Sequence, residues 1–595
     1  MNDFRARRGV EATPPPPADP ELAQTLRTSV LRWTAVALAF AAGAVALTWP
    51  LAVSLDGVAL GTERVATVPL FNLWTLAWNV ESLGRGFEGY WQAPIFHPTA
   101  DAFAFSEPQP VLGMLAAALC SFGLSIVAAY GLLLIASLAR NGLLTAVLLR
   151  RVGLGWSPSI LGGALVLVLP FTHQQLGVLQ LVPLGGVLLF ALAVLSFAEA
   201  PKLTSGLGLG AGLALAYGLS AQVAVFGGLA ATPAALWLWW PHRRERRAWI
   251  ALAAGVALFF ALASPLLVAQ LRGTSNEGFV RLAETMRKHS AKPAQYFEAP
   301  WPQLLPAPGV ETAERSSARA FWPGTLRVLL AFIAVALAWR SNRWRRPAVA
   351  GLLVLATSVL LSFGGHLGAF GLSLVDVLRA LPGLGQIRNF FRFALFAQLA
   401  VALLAAGALH GVLEASRRRF GNGPGMQRAA AFVPAAVLAL LAVFEMRPAP
   451  GPIQPLPPPD RELPWLTFIE EETAVDDVLA FLPFPQGRKT ADYAGTSQWM
   501  YWQQRHWRPM VNGYSGFFPS RFKALKETMK DFPSAQSLAA LKDTGVRYCI
   551  VPKFVIEASP PPDPDAAVTL ALVFRDEENE LAIFALRGDG ASNDP

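Results

Sequence analysis

The sequence predicts a mainly α-helical, polytopic membrane protein with a small α+β domain at its C-terminal end. Three observations lead there. Hydrophobic residues make up 53% of the 595 residues and charged residues only 15%, against roughly 25% charged in an ordinary soluble protein; the mean hydropathy is +0.41. Apolar runs of spanning length recur from about residue 30 to residue 446. The lysines and arginines gather in short clusters between those runs, which is a topology signal and not the footprint of a nucleic-acid binder. This composition excludes an ordinary cytosolic enzyme, a disordered chain and a fibrous protein. Two cysteines, Cys120 and Cys549, are too few for a disulfide framework or a zinc cluster. The seven histidines contain no H-x-x-x-H pair.

In chain order, residues 1–28 are polar, with Arg5, Arg7, Arg8 and a Pro14–Pro17 tract, and read as a disordered cytoplasmic tail. Residues 29–446 form the transmembrane part. Its first run, Val30 to Leu55, is too long for a signal-peptide core and reads as a retained anchor. Ten further runs centre between Leu134 and Val437, and a spanning helix needs roughly 20 apolar residues. Arg150-Arg151, residues 242–247, Arg340 to Arg346 and Arg417 to Arg419 all face the cytoplasm if the N-terminus is inside and the broken segment Pro110–Leu124 does not cross. The expectation is eleven spans and an exterior C-terminus; a crossing by that segment gives twelve and puts a basic cluster on the wrong side. Loops 56–109, 272–320 and 365–390 then face outside. Residues 447–460 are a Pro-rich linker, and residues 461–595 a soluble exterior domain. A helix is expected over Val475–Phe481, and strands over Arg547–Val551, Ala567–Phe574 and Glu580–Ala585.

The first exterior loop carries most of the chemistry. Val68 to Asn79 places Phe71, Trp74 and Trp78 on one helical face, as in a helix lying in the membrane interface. Around it stand Asp56, Glu63, His97 and Glu107. Carboxylates at a membrane surface can act as a general base or hold a divalent cation.

Here the sequence resembles a family. A first span ending Leu47-Thr-Trp-Pro-Leu51, an acidic loop with juxtamembrane aromatic helices, many further spans and a C-terminal exterior domain resemble the GT-C superfamily of integral-membrane glycosyltransferases. More narrowly, the chain is similar to a group of bacterial multi-span membrane proteins. They share the tryptophan-rich helix, the Ser106-Glu107 pair, Arg388-Asn-Phe-Phe-Arg392-Phe393, the run His506-Trp-Arg-Pro-Met-Val-Asn-Gly-Tyr-Ser-Gly-Phe517, and Gly545 to Pro552. The resemblance runs from about residue 45 to near the end. It implies inverting transfer of a sugar from a polyprenyl-phosphate donor, with a first-loop carboxylate as catalytic base. The acceptor is a glycan, lipid or protein at the outer face of a bacterial inner membrane. Relatives usually show Gly-Asp and a further Asp; this chain reads Gly61-Thr62-Glu63 followed by Ala66-Thr67-Val68. Glu63 still serves as a base, but a two-carboxylate site for Mg or Mn then needs Asp56 or Glu107.

Each candidate has a plainer reading beside it. Glu63 is the leading base, or a solvated interfacial glutamate. Glu107 is a second acid or metal ligand, or a helix N-cap. Asp56 is a ligand or a helix-end residue. Arg388 and Arg392, four apart, share a helical face that holds the sugar donor's phosphate through guanidinium forks, or they anchor on lipid headgroups. His97, His173, Gln174 and Trp74 line the substrate site, or serve turns, helix ends and packing. Arg140, inside an apolar run, implies a buried ion-pair partner. The glycine-rich run Gly206–Gly212 implies close helix packing. A transporter of lipid-linked sugars and an inactive membrane scaffold are the rival functions. Polar residues clustered on one side of the membrane favour an enzyme over a transporter.

Overall fold

The computed structural model describes residues 20–588, apart from 303, 306–307, 313–318, 341, 370–371, 381–383, 422–424, 450 and 559–567. Residues 1–19 of the expected tail lie outside the described residues. The first helix, Pro20–Leu47, begins inside the rest of that tail and ends before Pro50, so the anchor helix starts and stops earlier than its apolar run.

Among the described residues, eight helices are long and apolar enough to cross a membrane by length and composition. Leu203–Leu219, Thr325–Trp339 and Ala429–Glu445 are shorter apolar helices at the positions of the three remaining runs. Pro110–Ser121, in the broken segment, has only 12 residues. Packing follows small residues: a Cβ at Gly206 or Gly210 would stand 2.0 Å from the carbonyl oxygens of Ala251 and Gly255. The helix Leu203–Leu219 therefore lies nearly backbone to backbone on Arg246–Asn276.

The C-terminal part holds a four-stranded sheet in the order Val478–Phe481, Val546–Pro552, Leu581–Gly588, Val568–Asp576. The first pair is parallel and the other two are antiparallel. Helices Pro464–Glu472, Ala494–His506, Ser520–Thr528 and Ala535–Asp543 surround it. Val478–Phe481 is thus a fully buried strand, where a helix was expected. A short apolar run carries no period that separates the two. The Pro-rich linker is also more than a tether. Ile453–Pro455 pairs antiparallel with Gly57–Ala59, tying the start of the C-terminal part to the first loop.

The tryptophan-rich helix spans Thr67–Gly84, and its aromatic face is covered by protein. Phe71, Trp74 and Trp78 are buried in one core with Phe96, Phe105 and the C-terminal sheet. The Trp74 indole donates to Gln503 Oε1 at 3.0 Å. First loop and C-terminal domain are therefore built as one body over the helical part.

Candidate functional site

Glu63 is placed by a tight docking of two turns. The chain reverses at Gly61, whose φ of +59° suits glycine; a Cβ there would meet the Gln174 carbonyl oxygen at 2.7 Å and the Leu176 nitrogen at 2.9 Å. Thr62 donates to that same carbonyl from its backbone N–H at 3.0 Å and its hydroxyl at 2.9 Å. The Glu63 N–H then closes on the Leu60 carbonyl at 2.9 Å. The carboxyl is half-buried. Burial raises its pKa above the ordinary glutamate value, while the nearby Arg392 guanidinium opposes the rise.

Glu107 caps a helix, but not the one that follows it in sequence. Asn79 Nδ2 donates to the Pro108 carbonyl at 2.7 Å, and Gln109 Nε2 donates to Asn72 Oδ1 at 2.9 Å. The tryptophan-rich helix thereby fixes the backbone beside Glu107. The carboxylate accepts from the Ser220 hydroxyl at 3.0 Å and from the Gln222 N–H at 3.2 Å. It therefore sits at the N-terminus of helix Ala221–Trp239, where the unpaired N–H groups favour negative charge. Burial dominates nonetheless and pushes the Glu107 pKa up to about 7.

That shift makes a prediction. The folded pKa is raised above the ordinary 4.5, so this group's stabilising contribution is complete below about pH 4.5 and is lost as pH rises through about 7. Glu107→Gln is expected to melt higher than wild type at about pH 8, the two converging below about pH 5. Thermal unfolding in detergent checks it. A lower melting temperature for the variant at high pH would mean that the carboxylate's capping outweighs its burial.

Arg392 completes the group. Its guanidinium donates to the Gln222 side-chain oxygen, so Glu107, Gln222 and Arg392 form a hydrogen-bonded chain. Glu63, Glu107, Arg388 and Tyr514 all act on Arg392 electrostatically. The expectation of one helical face for Arg388 and Arg392 is corrected. Arg388 precedes a short 3-10 turn, Phe390–Phe393, in a stretch held open by tertiary ties: Gln386 Nε2 donates to the Phe279 carbonyl at 2.9 Å, and the Phe391 N–H donates to the His289 carbonyl at 3.1 Å. The two arginines still converge, Arg388 exposed and Arg392 half-buried. A third, Arg281, joins them; burial and Arg388 bring its pKa down to about 10.

Other sequence candidates lie in structural roles. His173 is buried, with Nε2 at 2.9 Å from the Leu167 carbonyl oxygen. It secures the break between helices Trp156–Leu167 and Pro170–Gln174. Gln174 serves through its carbonyl, as the seat of the Glu63 turn. Trp74 is 1% exposed, with its N–H engaged by Gln503, so it offers no face to a substrate. His97 donates its backbone N–H to the Met510 carbonyl at 3.0 Å. Burial and Arg521 hold its imidazole pKa below the ordinary value, which puts it at the seam with the C-terminal domain. Arg140 has Nε and Nη2 without hydrogen-bond partners, and among the described residues no carboxylate pairs with it.

Asp56 is exposed, and its backbone carbonyl accepts from the Leu456 N–H at 2.9 Å. Asp56, Glu63 and Glu107 do not form one ligand set. Among the described residues no group of three or more His, Cys, Asp or Glu is placed to hold a metal ion. The charge that faces Glu63 and Glu107 is a guanidinium. This donor set does not fit a divalent cation. Sequence reasoning missed Asp101, which is buried and gripped by Arg272 at 2.7 and 2.9 Å. That grip ties the first loop to the long helix Arg246–Asn276.

The fold has a counterpart among solved structures. Arabinofuranosyltransferase AftD from Mycobacteria superposes with a TM-score of 0.54 at 14% identity, over 93% of this chain and 39% of that one. The chain has the GT-C fold. ArnT from Cupriavidus metallidurans superposes at a TM-score of 0.43 and 14% identity, over 94% of this chain and 98% of that one. The Archaeoglobus fulgidus oligosaccharyltransferase gives 0.41 and 12%, over 92% and 73%. This chain spans 39% of the length of AftD. No protein-family model and no curated protein matches the sequence. At such identities the likeness establishes the GT-C fold, and function is argued from the site.

Proposed function

We propose that this GT-C protein is a glycosyltransferase. It moves a sugar from a polyprenyl-phosphate donor to a glycan, lipid or protein acceptor at the outer face of a bacterial inner membrane. The observation that carries the reading is the convergence of a half-buried first-loop carboxylate, Glu63, with Arg392 and Arg388. The chemistry explains why both charges are needed. Glu63 takes the proton of an acceptor hydroxyl as its oxygen bonds to the anomeric carbon. The bond from that carbon to the phosphate oxygen breaks on the opposite face, inverting the configuration. The phosphate starts as a diester with one negative charge and leaves as a monoester with a second. Arg388 and Arg392 stand where that added charge would be stabilised. Glu107 fixes Arg392 through Gln222, and here its role is positioning. The N-terminus is cytoplasmic, and the site with the C-terminal domain faces outward.

The test is transfer by purified protein from radiolabelled polyprenyl-phosphate sugars to envelope extract. Label should pass to the extract with release of polyprenyl phosphate. A protein that binds every sugar donor and transfers none would instead be a carrier or a scaffold. Gly61→Ala tests how Glu63 is placed. Its Cβ would displace the turn from Gln174 by a fraction of an ångström or more, and a misplacement near 1 Å is worth about 100-fold in rate. The variant should lose about that much kcat while binding the sugar donor normally; unchanged kcat would show that the turn does not set the base.

A further inference from the structure

The run His506–Phe517 carries part of the family resemblance, and its place in the chemistry lies in the loop that ends it. This loop of the C-terminal domain is pinned from three sides. Its Asn512 carbonyl accepts from the Phe96 N–H at 3.0 Å, and its Phe517 N–H donates to the Phe105 carbonyl at 3.1 Å. Gly516 lies against Phe105 and Ser106, immediately before Glu107; a Cβ there would stand 2.9 Å from the Phe105 oxygen. From the 272–320 loop, Arg281 donates to the Gly516 carbonyl at 2.6 Å and lies 3.7 Å over the Phe517 ring.

Tyr514 is the side chain this loop delivers. Its ring meets Phe71 of the tryptophan-rich helix edge-on at 5.5 Å and packs on Phe518 at 6.0 Å. Glu63, Arg388 and Arg392 are the charges that act on its hydroxyl. Burial raises the phenol pKa, so the group remains a proton donor at neutral pH. The surroundings are two guanidinium groups and one carboxylate, which is an environment for a phosphate ester.

We propose that Tyr514 is the C-terminal domain's own substrate contact: its hydroxyl donates to the phosphate of the polyprenyl-linked sugar beside Arg388 and Arg392. The site is then complete only when the first loop and the C-terminal domain are joined. This rests on the sugar-donor reading above, and it adds a residue from a part of the chain more than 100 positions away from either arginine.

The experiment measures binding of undecaprenyl phosphate to the full-length protein in detergent, with wild type, Tyr514→Phe and Arg392→Gln side by side. Phenylalanine keeps the ring contacts and deletes only the hydroxyl. Tyr514→Phe should weaken binding about 10-fold, the value of one hydrogen bond to a charged acceptor, at an unchanged melting temperature. Wild-type affinity in Tyr514→Phe, with Arg392→Gln weakened, overturns the role of Tyr514 and leaves the sugar-donor reading standing. If Tyr514→Phe also melts lower, binding is read well below both melting temperatures, and wild-type affinity there overturns the role. No binding by wild type, or none lost in Arg392→Gln, overturns the sugar-donor reading and this proposal with it.

Discussion

Glu63→Gln is expected to reduce kcat by about 100- to 10,000-fold, the range of a general base, with folding and sugar-donor binding retained. Glutamine keeps the shape of the side chain and cannot take a proton. The pH profile adds a second readout. In wild type the reactive form carries an ionised Glu63, so kcat/KM climbs with pH as the carboxyl loses its proton. Burial places that climb above the ordinary glutamate range, and Arg392 limits how far. The residual activity of the variant should lack this limb. A Glu63→Gln protein with wild-type kcat would remove Glu63 from the reaction, whatever else the site does.

Arg392→Gln should lower kcat/KM by about 100-fold, the value of roughly 3 kcal/mol of charge-assisted hydrogen bonding to a phosphate. Both KM and kcat should suffer, because the phosphate is bound as a monoanion and leaves with a second charge. Arg392→Lys should recover only part of the loss, since an ammonium lacks the planar fork. The exposed Arg388 should matter less than Arg392 when replaced singly. A further consequence concerns Glu63. Arg392 holds its pKa down against burial, so the acid limb should move to higher pH in Arg392→Gln. Steady-state rates over a range of sugar-donor concentrations and pH check all of this. An unmoved acid limb with a large loss of binding would place Arg392 on the phosphate but away from the base.

The helical part was largely legible in the sequence because long apolar runs have few alternatives in water or membrane. The run of seven residues at Val475–Phe481 had no such length, and its strand was set by pairing with Val546–Pro552, far along the chain. Phe71, Trp74 and Trp78 were correctly placed on one face, but a pattern of apolar residues says that a face is covered and not by what. Here the cover is the C-terminal domain. The four-residue spacing of Arg388 and Arg392 suggested a helix; contacts from Phe279 and His289 hold that stretch open instead. Capping was weighed for Glu107, yet the capped helix starts with Ser220, 113 positions later. Local sequence carries no trace of that contact. Gly61 and Glu63 stood together in the motif, whereas the Gln174 carbonyl that fixes them was invisible, because a backbone acceptor has no sequence signature. Tyr514 lies within the run His506–Phe517, and the charges that act on it, Glu63, Arg388 and Arg392, come from elsewhere in the chain.

A structure of the protein with undecaprenyl phosphate bound would test the central claim directly. The phosphate oxygens should lie within hydrogen-bond reach of Arg392 and Arg388, with a free phosphate oxygen, the one that would carry the sugar in the donor, turned toward Glu63. A phosphate seated elsewhere, with Glu63 and Arg392 facing only each other and solvent, would contradict it.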